Sequence, residues 1–426
     1  MGSCQSTSSD SAADRSRAIE RHLKEDKDAS KKEVKILLLG TGETGKSTVL
    51  KQMKLIHKIG FTPDEIANFR SALVLNLLSC AKELMNAMDK LKIPYGFDPT
   101  QVVSASRQIT ESSLDQWSTD PSNTSRTNSC DNESFDAPTI RRRTARFAEV
   151  ASASSELFMS AGGSENRTGE VAAAAAIIRS MDPSMVLSGT TISSKLISSI
   201  KLLWRDPGVQ YCVSRAAEYQ LMDSCPYVME NIDRICCPDF TPTDPDILAA
   251  RIMTTQIREI RFKVHAHLFC VYDLGGQRSE RKKWMAFFDN VKAFIYMVAI
   301  SSYDQTCFED SQTNRITESL NLFHSLTHHP ALKKTCIILF LNKIDLFKEK
   351  MKVSPLVEYF PEYKGLGDYE SGALYFERTF RDENPFSERD IYTHFTWATD
   401  TSNISRVMEN VTMALLRAAC ENLGLI

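Results

Sequence analysis

The chain has little cysteine and no cysteine pattern. Its 11 cysteines are scattered over 426 residues, with Cys236 and Cys237 adjacent and no C-x-x-C pair. That spacing supports neither a zinc module nor a disulfide framework, and free thiols suit a reducing cytosol. An excess of one charge is missing too: 51 Lys and Arg stand against 54 Asp and Glu, a net of −3. So balanced a chain lacks the basic footprint of a nucleic-acid binder, and no nucleic-acid partner is expected. No uncharged apolar run approaches the ~18 residues that a membrane-spanning helix needs. The start carries no secretory apolar segment either. At about 150 residues per domain the length allows two or three domains.

What the start does carry is Met1-Gly2-Ser3-Cys4-Gln5-Ser6. This is the M-G-x-x-x-[ST] acylation pattern, with Cys4 two residues after Gly2. Myristate on Gly2 and palmitate on Cys4 would together give the stable anchoring that one chain cannot. The expected location is then the cytoplasmic face of the plasma membrane, by lipid anchor; an ordinary small-residue tail is the alternative. Next comes Ser11-Ala12-Ala13-Asp14, of capping-box form. Residues 14–33 are dense in both charges, with Ile19 and Leu23 one helical turn apart. They read as a solvated helix whose narrow apolar stripe needs a partner, or as a frayed charged linker.

At residue 34 the character changes. Val34-Lys35-Ile36-Leu37-Leu38-Leu39 is a short, largely apolar run, the pattern of a buried parallel strand. Similar runs recur at 268–272, 293–300, 335–341 and 393–397, with helical spacing between them. Strands alternating with helices predict an α/β sheet with right-handed crossovers. The last segment, 402–423, aligns Ile404, Val407, Val411, Ala414, Leu415 and Ala418 on one helical face. A long insertion, 61–239, separates the first two strands and is helical in period at 64–91 and 191–235. The expected organisation is an acylated N-terminal helix over 1–33, an α/β domain over 34–60 and 240–426, and an all-helical domain over 61–239. Inside the insertion, 100–169 reads as disordered. Ten of the 25 residues from 111 to 135 are Ser or Thr, too polar to offset the entropy of ordering. Arg141-Arg142-Arg143-Thr144 fits a basophilic kinase site, or the commoner solvated charge run.

The strongest signal is Gly40-Thr41-Gly42-Glu43-Thr44-Gly45-Lys46-Ser47. It fits G-x-x-x-x-G-K-[ST] after a buried strand and before a helical pattern, the context that a phosphate-binding loop requires. Glycines let successive N–H groups curl around phosphates, and the helix N-terminus adds partial positive charge. Lys46 suits the β- and γ-phosphates, and the Ser47 hydroxyl suits Mg²⁺. The choice of base comes from Asn342-Lys343-Ile344-Asp345, directly after the apolar run 335–341. A carboxylate there can accept both N1–H and N2–H₂ of guanine, a donor pair adenine lacks. Asn342 would bond the other edge of the base, with the Lys343 stem over the ring.

With these in order, the chain resembles the α subunits of heterotrimeric G proteins, in a form with an extended helical domain. The resemblance covers about residues 1–100 and 180–426. It is carried by the two motifs above, by Arg251-Ile252-Met253-Thr254-Thr255, by Asp273-Leu274-Gly275-Gly276-Gln277 and by Thr396-Trp397-Ala398-Thr399-Asp400-Thr401, with Trp204 and Glu218-Tyr219-Gln220-Leu221-Met222-Asp223-Ser224 between. It implies a Ras-like P-loop GTPase domain, a mostly parallel six-stranded sheet flanked by helices, with an inserted all-α domain. It implies GTP or GDP as bound nucleotide, Mg²⁺ as cofactor and GTP hydrolysis as activity. Gln277 would orient the attacking water, and Arg251 would stabilise charge on the γ-phosphate. Ser47 and Thr254 would ligate Mg²⁺, with Asp273 holding it through water. The resemblance assigns further nucleotide contacts to Glu43, Thr44, Gly45, Lys46, Thr48, Asp223, Ser224, Leu248, Ala249, Gly276, Asn342, Lys343, Asp345, Ala398 and Thr399.

The implied partners are a βγ dimer, a seven-helix receptor, an unassigned effector of adenylyl cyclase or kinase-pathway class, and a GTPase-accelerating protein. Residues 251–255 and 276–284 would be the segments ordered by the γ-phosphate. The sequence departs from the family at Thr41 and Thr44 in the loop, at Ala249 and Met253 beside Arg251, and at Gln256, where a Gly is replaced. The departures at Ala249, Met253 and Gln256 keep an alternative open: a GTP-binding scaffold with weak intrinsic hydrolysis. Trp397 replaces a small Cys, so its ring must find a new place. Leu423 stands where inhibitory members carry the cysteine that pertussis toxin modifies. His265 and His267 share a face of an expected strand without a third ligand, and His328-His329 before Pro330 reads as a turn.

Overall fold

The computed structural model describes residues 33–97, 165–181, 192–264 and 267–422. The acylation motif, the charged N-terminal segment, Thr144, His265 and Leu423 lie outside the described residues. Those described fall into two compact units: one drawn from 33–61, 253–348 and 360–422, the other from 62–252 and 349–359.

The first unit is built on a six-stranded sheet. Its strands are β1 (Glu33–Leu39), β2 (Arg258–Val264), β3 (His267–Asp273), β4 (Ala293–Ala299), β5 (Cys336–Asn342) and β6 (Ile391–Thr396), in the order β2-β3-β1-β4-β5-β6. β2 runs antiparallel to β3, and every other pairing is parallel. All seven residues of β4 are buried, as a central strand covered on both faces requires. β2 is the strand that the apolar runs do not reveal. Arg258, Glu259, Arg261 and Lys263 break its sequence, and Ile260 and Phe262 are its buried positions. An edge strand with one wet face alternates in this way. β6 begins at Ile391, two residues before the apolar run, because a parallel edge strand tolerates half-exposed positions.

Helices cover the sheet. α1 (Lys46–Ile56) follows β1 directly. Val49, Leu50 and Met53 of α1 share a core with Ile36 and Leu38 of β1 and with Ile404, Val407, Met408, Val411 and Leu415 of the C-terminal helix Thr401–Asn422. Of the face that the spacing picked out, that helix buries Ile404, Val407, Val411 and Leu415, with Ala414 half-buried and the Ala418 side chain outside those described. Elsewhere in the unit a ring cluster of Tyr296, Phe323 and Phe380 closes, with centroids 4.8 Å and 5.5 Å apart for the first and last pairs. Burying a large apolar side chain of this kind contributes roughly 1.5–3 kcal/mol.

The second unit is helical. Its spine, α2 (Pro63–Leu91), starts with Pro63 after the N-cap Thr62, and Thr62 and Glu65 form a reciprocal capping box. Phe69, Leu73, Leu77, Leu84 and Met88 recur along one face and are buried. α3 (Glu165–Ser180) begins before the expected end of disorder at 169, because the alanine run 172–176 is strongly helix-forming. The unit extends past 239 to include α4 (Asp244–Ala249). Asp246 ties that helix to its unit by accepting from Arg234, Tyr227 and Thr243.

Candidate functional site

In the first unit, the loop after β1 is shaped by backbone that side chains would obstruct. At Gly40 (φ 138°) a Cβ would overlap the Met297 carbonyl of the neighbouring strand. At Gly45 (φ 97°) a Cβ would fall 2.5 Å from Asn342 Nδ2. Both are left-handed conformations that glycine adopts at no steric cost. Gly45 is the N-cap of α1 and supplies no side-chain cap. The first N–H groups of α1 therefore have no capping acceptor, the arrangement that binds anions.

Lys46 is buried, with Nζ donating to the Thr41 carbonyl at 2.6 Å and the Gly40 carbonyl at 3.1 Å. Burial pushes its ammonium down to about 8, against the raising pull of Asp273. One residue on, Ser47 Oγ donates to Asp273 Oδ2 at 2.5 Å and lies 2.6 Å from Thr254 Oγ1. Asp273 is fully buried, and its Oδ1 has no hydrogen-bond partner. Desolvation raises its pKa, with Lys46 and Ser47 pulling the other way. Two hydroxyls and an orphaned carboxylate oxygen are hard donors of the kind Mg²⁺ takes beside phosphate. Among the described residues no group of three or more His, Cys, Asp or Glu side chains could hold a metal ion.

The segment after β3 lies against this loop. A Cβ on Gly276 would meet Lys46 Nζ, the Thr41 oxygen at 2.5 Å and the Gly40 oxygen at 2.7 Å. Gly42 has the Gln277 Cγ as the nearest atom to its Cβ position, at 3.9 Å. Gln277 thus stands beside the phosphate loop, and its side chain does not cap the helix Arg278–Arg281. Arg281 Nε donates to the Gly276 carbonyl at 3.2 Å, and its Nη1 pairs with Glu318 at 2.7 Å. Arg278 grips the same Glu318 with two bonds, at 3.0 and 2.7 Å. Trp284 Nε1 donates to Gly275 at 2.9 Å, and Lys283 Nζ to the Thr255 carbonyl at 3.3 Å. Arg278, Arg281, Lys283 and Trp284 of the basic stretch are each bonded within their own unit, and Lys282 is exposed.

At the other edge of the loop, buried Asn342 bridges three segments. Its Nδ2 donates to the Thr44 carbonyl at 2.8 Å, while Oδ1 accepts from Ala398 N–H and Thr396 Oγ1, each at 3.1 Å. Gln52 Nε2 holds the Ala398 carbonyl at 2.9 Å. Lys343 adopts φ 64°, and Asp345 sits in the first turn of the helix Ile344–Met351. Trp397 finds its place at the surface, 41% exposed, with its backbone N–H donating to Asn403 Oδ1. Thr399 is exposed.

The remaining expected residues belong to the second unit. Leu248 is buried near the end of α4, and Ala249 closes that helix. Arg251 exchanges two backbone bonds with the Asn76 side chain, and Ser224 is the N-cap of the helix Cys225–Glu230 beside Asp223. Sequence reasoning missed Gln52, Asn76 and Glu318, and quoted Thr396 within a motif without giving it a role. Asn76 and Gln52 left a signal, a polar residue set in the buried face of an amphipathic helix.

Comparisons with known proteins point to one family. The G-protein alpha subunit family matches residues 13–415. The chain is 38% identical over 429 residues to a guanine nucleotide-binding protein alpha-16 subunit of Caenorhabditis elegans, covering 100% of each. It is 37% identical over 426 residues to a guanine nucleotide-binding protein G(o) subunit alpha of Planorbella trivolvis, again covering 100% of each. To a guanine nucleotide-binding protein subunit alpha of the fungus Cochliobolus heterostrophus it is 36% identical over 426 residues, with the same coverage.

Proposed function

This chain belongs to the G-protein alpha subunit family and is a GTPase, and from that premise we propose that it is a lipid-anchored switch relaying a seven-helix receptor to an effector. In its resting state it would carry GDP and a βγ dimer at the cytoplasmic face of the plasma membrane. The Gly2 and Cys4 motif supports the anchor.

The site residues take their roles from the chemistry of phosphoryl transfer, which needs positioning and charge stabilisation more than covalent help. The N–H groups of the loop and the Lys46 ammonium hold the phosphates. Ser47 and Thr254 would ligate Mg²⁺, with Asp273 holding it through water, and the ion when bound would neutralise charge on the β- and γ-phosphates. Gln277 orients the attacking water through its carboxamide. Arg251 stabilises the charge that develops on the γ-phosphate oxygens. Asp345 accepts from the guanine edge, and Asn342 keeps the base loop and the phosphate loop in register.

The observation that carries the reading is the position of Gly276. Its backbone abuts the Lys46 loop, and its carbonyl receives Arg281, which is locked to Glu318. A γ-phosphate that draws in the Gly276 N–H would thereby order 276–284, and its loss would release them. The test is competition binding with Mg²⁺. GTP and GDP should displace a labelled guanine nucleotide at concentrations at which ATP does not, and equal displacement by ATP would overturn the reading.

A further inference from the structure

We propose that Asn76 is the positioning residue for Arg251, so that the helical insertion sets the geometry of the hydrolytic arginine. The inference rests on the role given to Arg251 above and concerns how that residue is held. Asn76 sits on the apolar face of α2 among Ala72, Leu73, Leu77 and Cys80, all buried, and is itself 8% exposed. A carboxamide at such a position is costly unless both its ends are bonded. Both ends are bonded, and to a single residue. Arg251 N–H donates to Asn76 Oδ1 at 2.7 Å, and Asn76 Nδ2 donates to the Arg251 carbonyl at 3.0 Å.

This two-point pairing satisfies both backbone groups of Arg251, as a facing residue does at a hydrogen-bonded position of an antiparallel ladder. Arg251 needs it because it lies in neither helix nor strand. α4 ends at Ala249, and Ala250 already has extended backbone (φ −61°, ψ 117°). A single bond would leave the residue free to rotate about it, whereas two bonds of opposite polarity fix its backbone. The segment before it is anchored separately, through Asp246 and its bonds to Arg234, Tyr227 and Thr243. With the approach fixed by Asp246 and the arginine backbone fixed by Asn76, the side chain starts from a set origin. Displacing a charge-stabilising group by about 1 Å can cost on the order of 100-fold in rate.

The experiment is a double-mutant cycle on single-turnover GTP hydrolysis by the full chain, with Asn76→Ala, Arg251→Ala and the pair. Affinity for a nonhydrolysable GTP analogue is measured in parallel. Asn76→Ala is expected to slow hydrolysis roughly 10-fold or more, with analogue affinity within about twofold of native. The double variant is expected to be no slower than Arg251→Ala, since a clamp has nothing to hold once the arginine is gone. Asn76→Ser keeps one hydroxyl that can accept from the Arg251 N–H but cannot span both backbone groups, so it should fall between native and Asn76→Ala. It carries the test if the alanine variant fails to fold. Losses that multiply in the double variant overturn the proposal, as does native-rate hydrolysis by Asn76→Ala beside a crippled Arg251→Ala. Native-rate hydrolysis by Arg251→Ala overturns the arginine reading first, and the clamp with it.

Discussion

Asn342 donates its side-chain amide to the Thr44 carbonyl at 2.8 Å across 298 positions of sequence. The other end of the same carboxamide accepts from Ala398 and Thr396. One buried side chain thus joins the phosphate loop to the loop expected to meet the base. Asn342→Ala would strand three polar groups, at about 1–3 kcal/mol for each left unsatisfied. We expect GDP to dissociate at least roughly 10-fold faster, the change that about 1.4 kcal/mol brings. Stopped-flow release of a fluorescent GDP measures it, and a rate within twofold of native would contradict the assignment.

Gly276 has no room for a methyl group. A Cβ there would press on Lys46 Nζ and on the Thr41 and Gly40 oxygens, and the two carbonyls belong to a loop that cannot retreat without opening. Gly276→Ala should still bind guanine nucleotide but fail to draw 276–284 against the loop. In the native chain, a nonhydrolysable GTP analogue should protect the Arg281-Lys282-Lys283 stretch from trypsin. The variant should be cut there at the same rate with the analogue as with GDP. Equal protection of both chains would show that the close approach is not needed.

Asp246 makes the helical unit sensitive to acid. Burial alone would raise its carboxyl, but the bonds from Arg234 and Thr243, with Tyr227 assisting, outweigh that and hold it well below the ordinary range. A carboxyl depressed in the folded state contributes stability that is full above the unfolded value, about 3.9. That stability is lost as pH falls through the folded value. Arg234 is partly exposed, so the Asp246→Asn penalty at pH 7 should be about 1–3 kcal/mol, below the range for a fully buried pair. Melting curves should show the gap between native and variant widest near pH 7 and shrinking below about pH 4. A gap that stays constant with pH would contradict the charge account.

The sheet and the nucleotide site were legible in sequence to different depths and for different reasons. β1, β3, β4 and β5 were plain because strands buried on both faces must be apolar throughout. β2 was hidden because its wet face is charged, leaving only Ile260 and Phe262 buried in an alternating pattern. The phosphate loop and Asn342–Asp345 region were readable because ligand chemistry fixes residue type and spacing locally. Asn76 and Glu318 were not, because their roles arise from pairings with Arg251, Arg278 and Arg281 made only by folding. Trp397 shows the opposite failure. The ring expected to need a new packing place meets solvent instead, at no cost to the Asn342 bridge beside it.

The central claim is that Gln277 and Arg251 together time the switch, and single-turnover hydrolysis of preloaded GTP with Mg²⁺ tests it most directly. Gα subunits with their arginine in cis turn over at about 10⁻² s⁻¹, a figure belonging to the family at large. We expect the native chain to hydrolyse in that slow regime, and Gln277→Leu and Arg251→Cys each to lose hydrolysis while retaining GTP. Hydrolysis that persists in either variant would contradict the roles assigned here. A negligible native rate despite tight GTP binding, unchanged by a GTPase-accelerating partner, would contradict the self-timed switch itself.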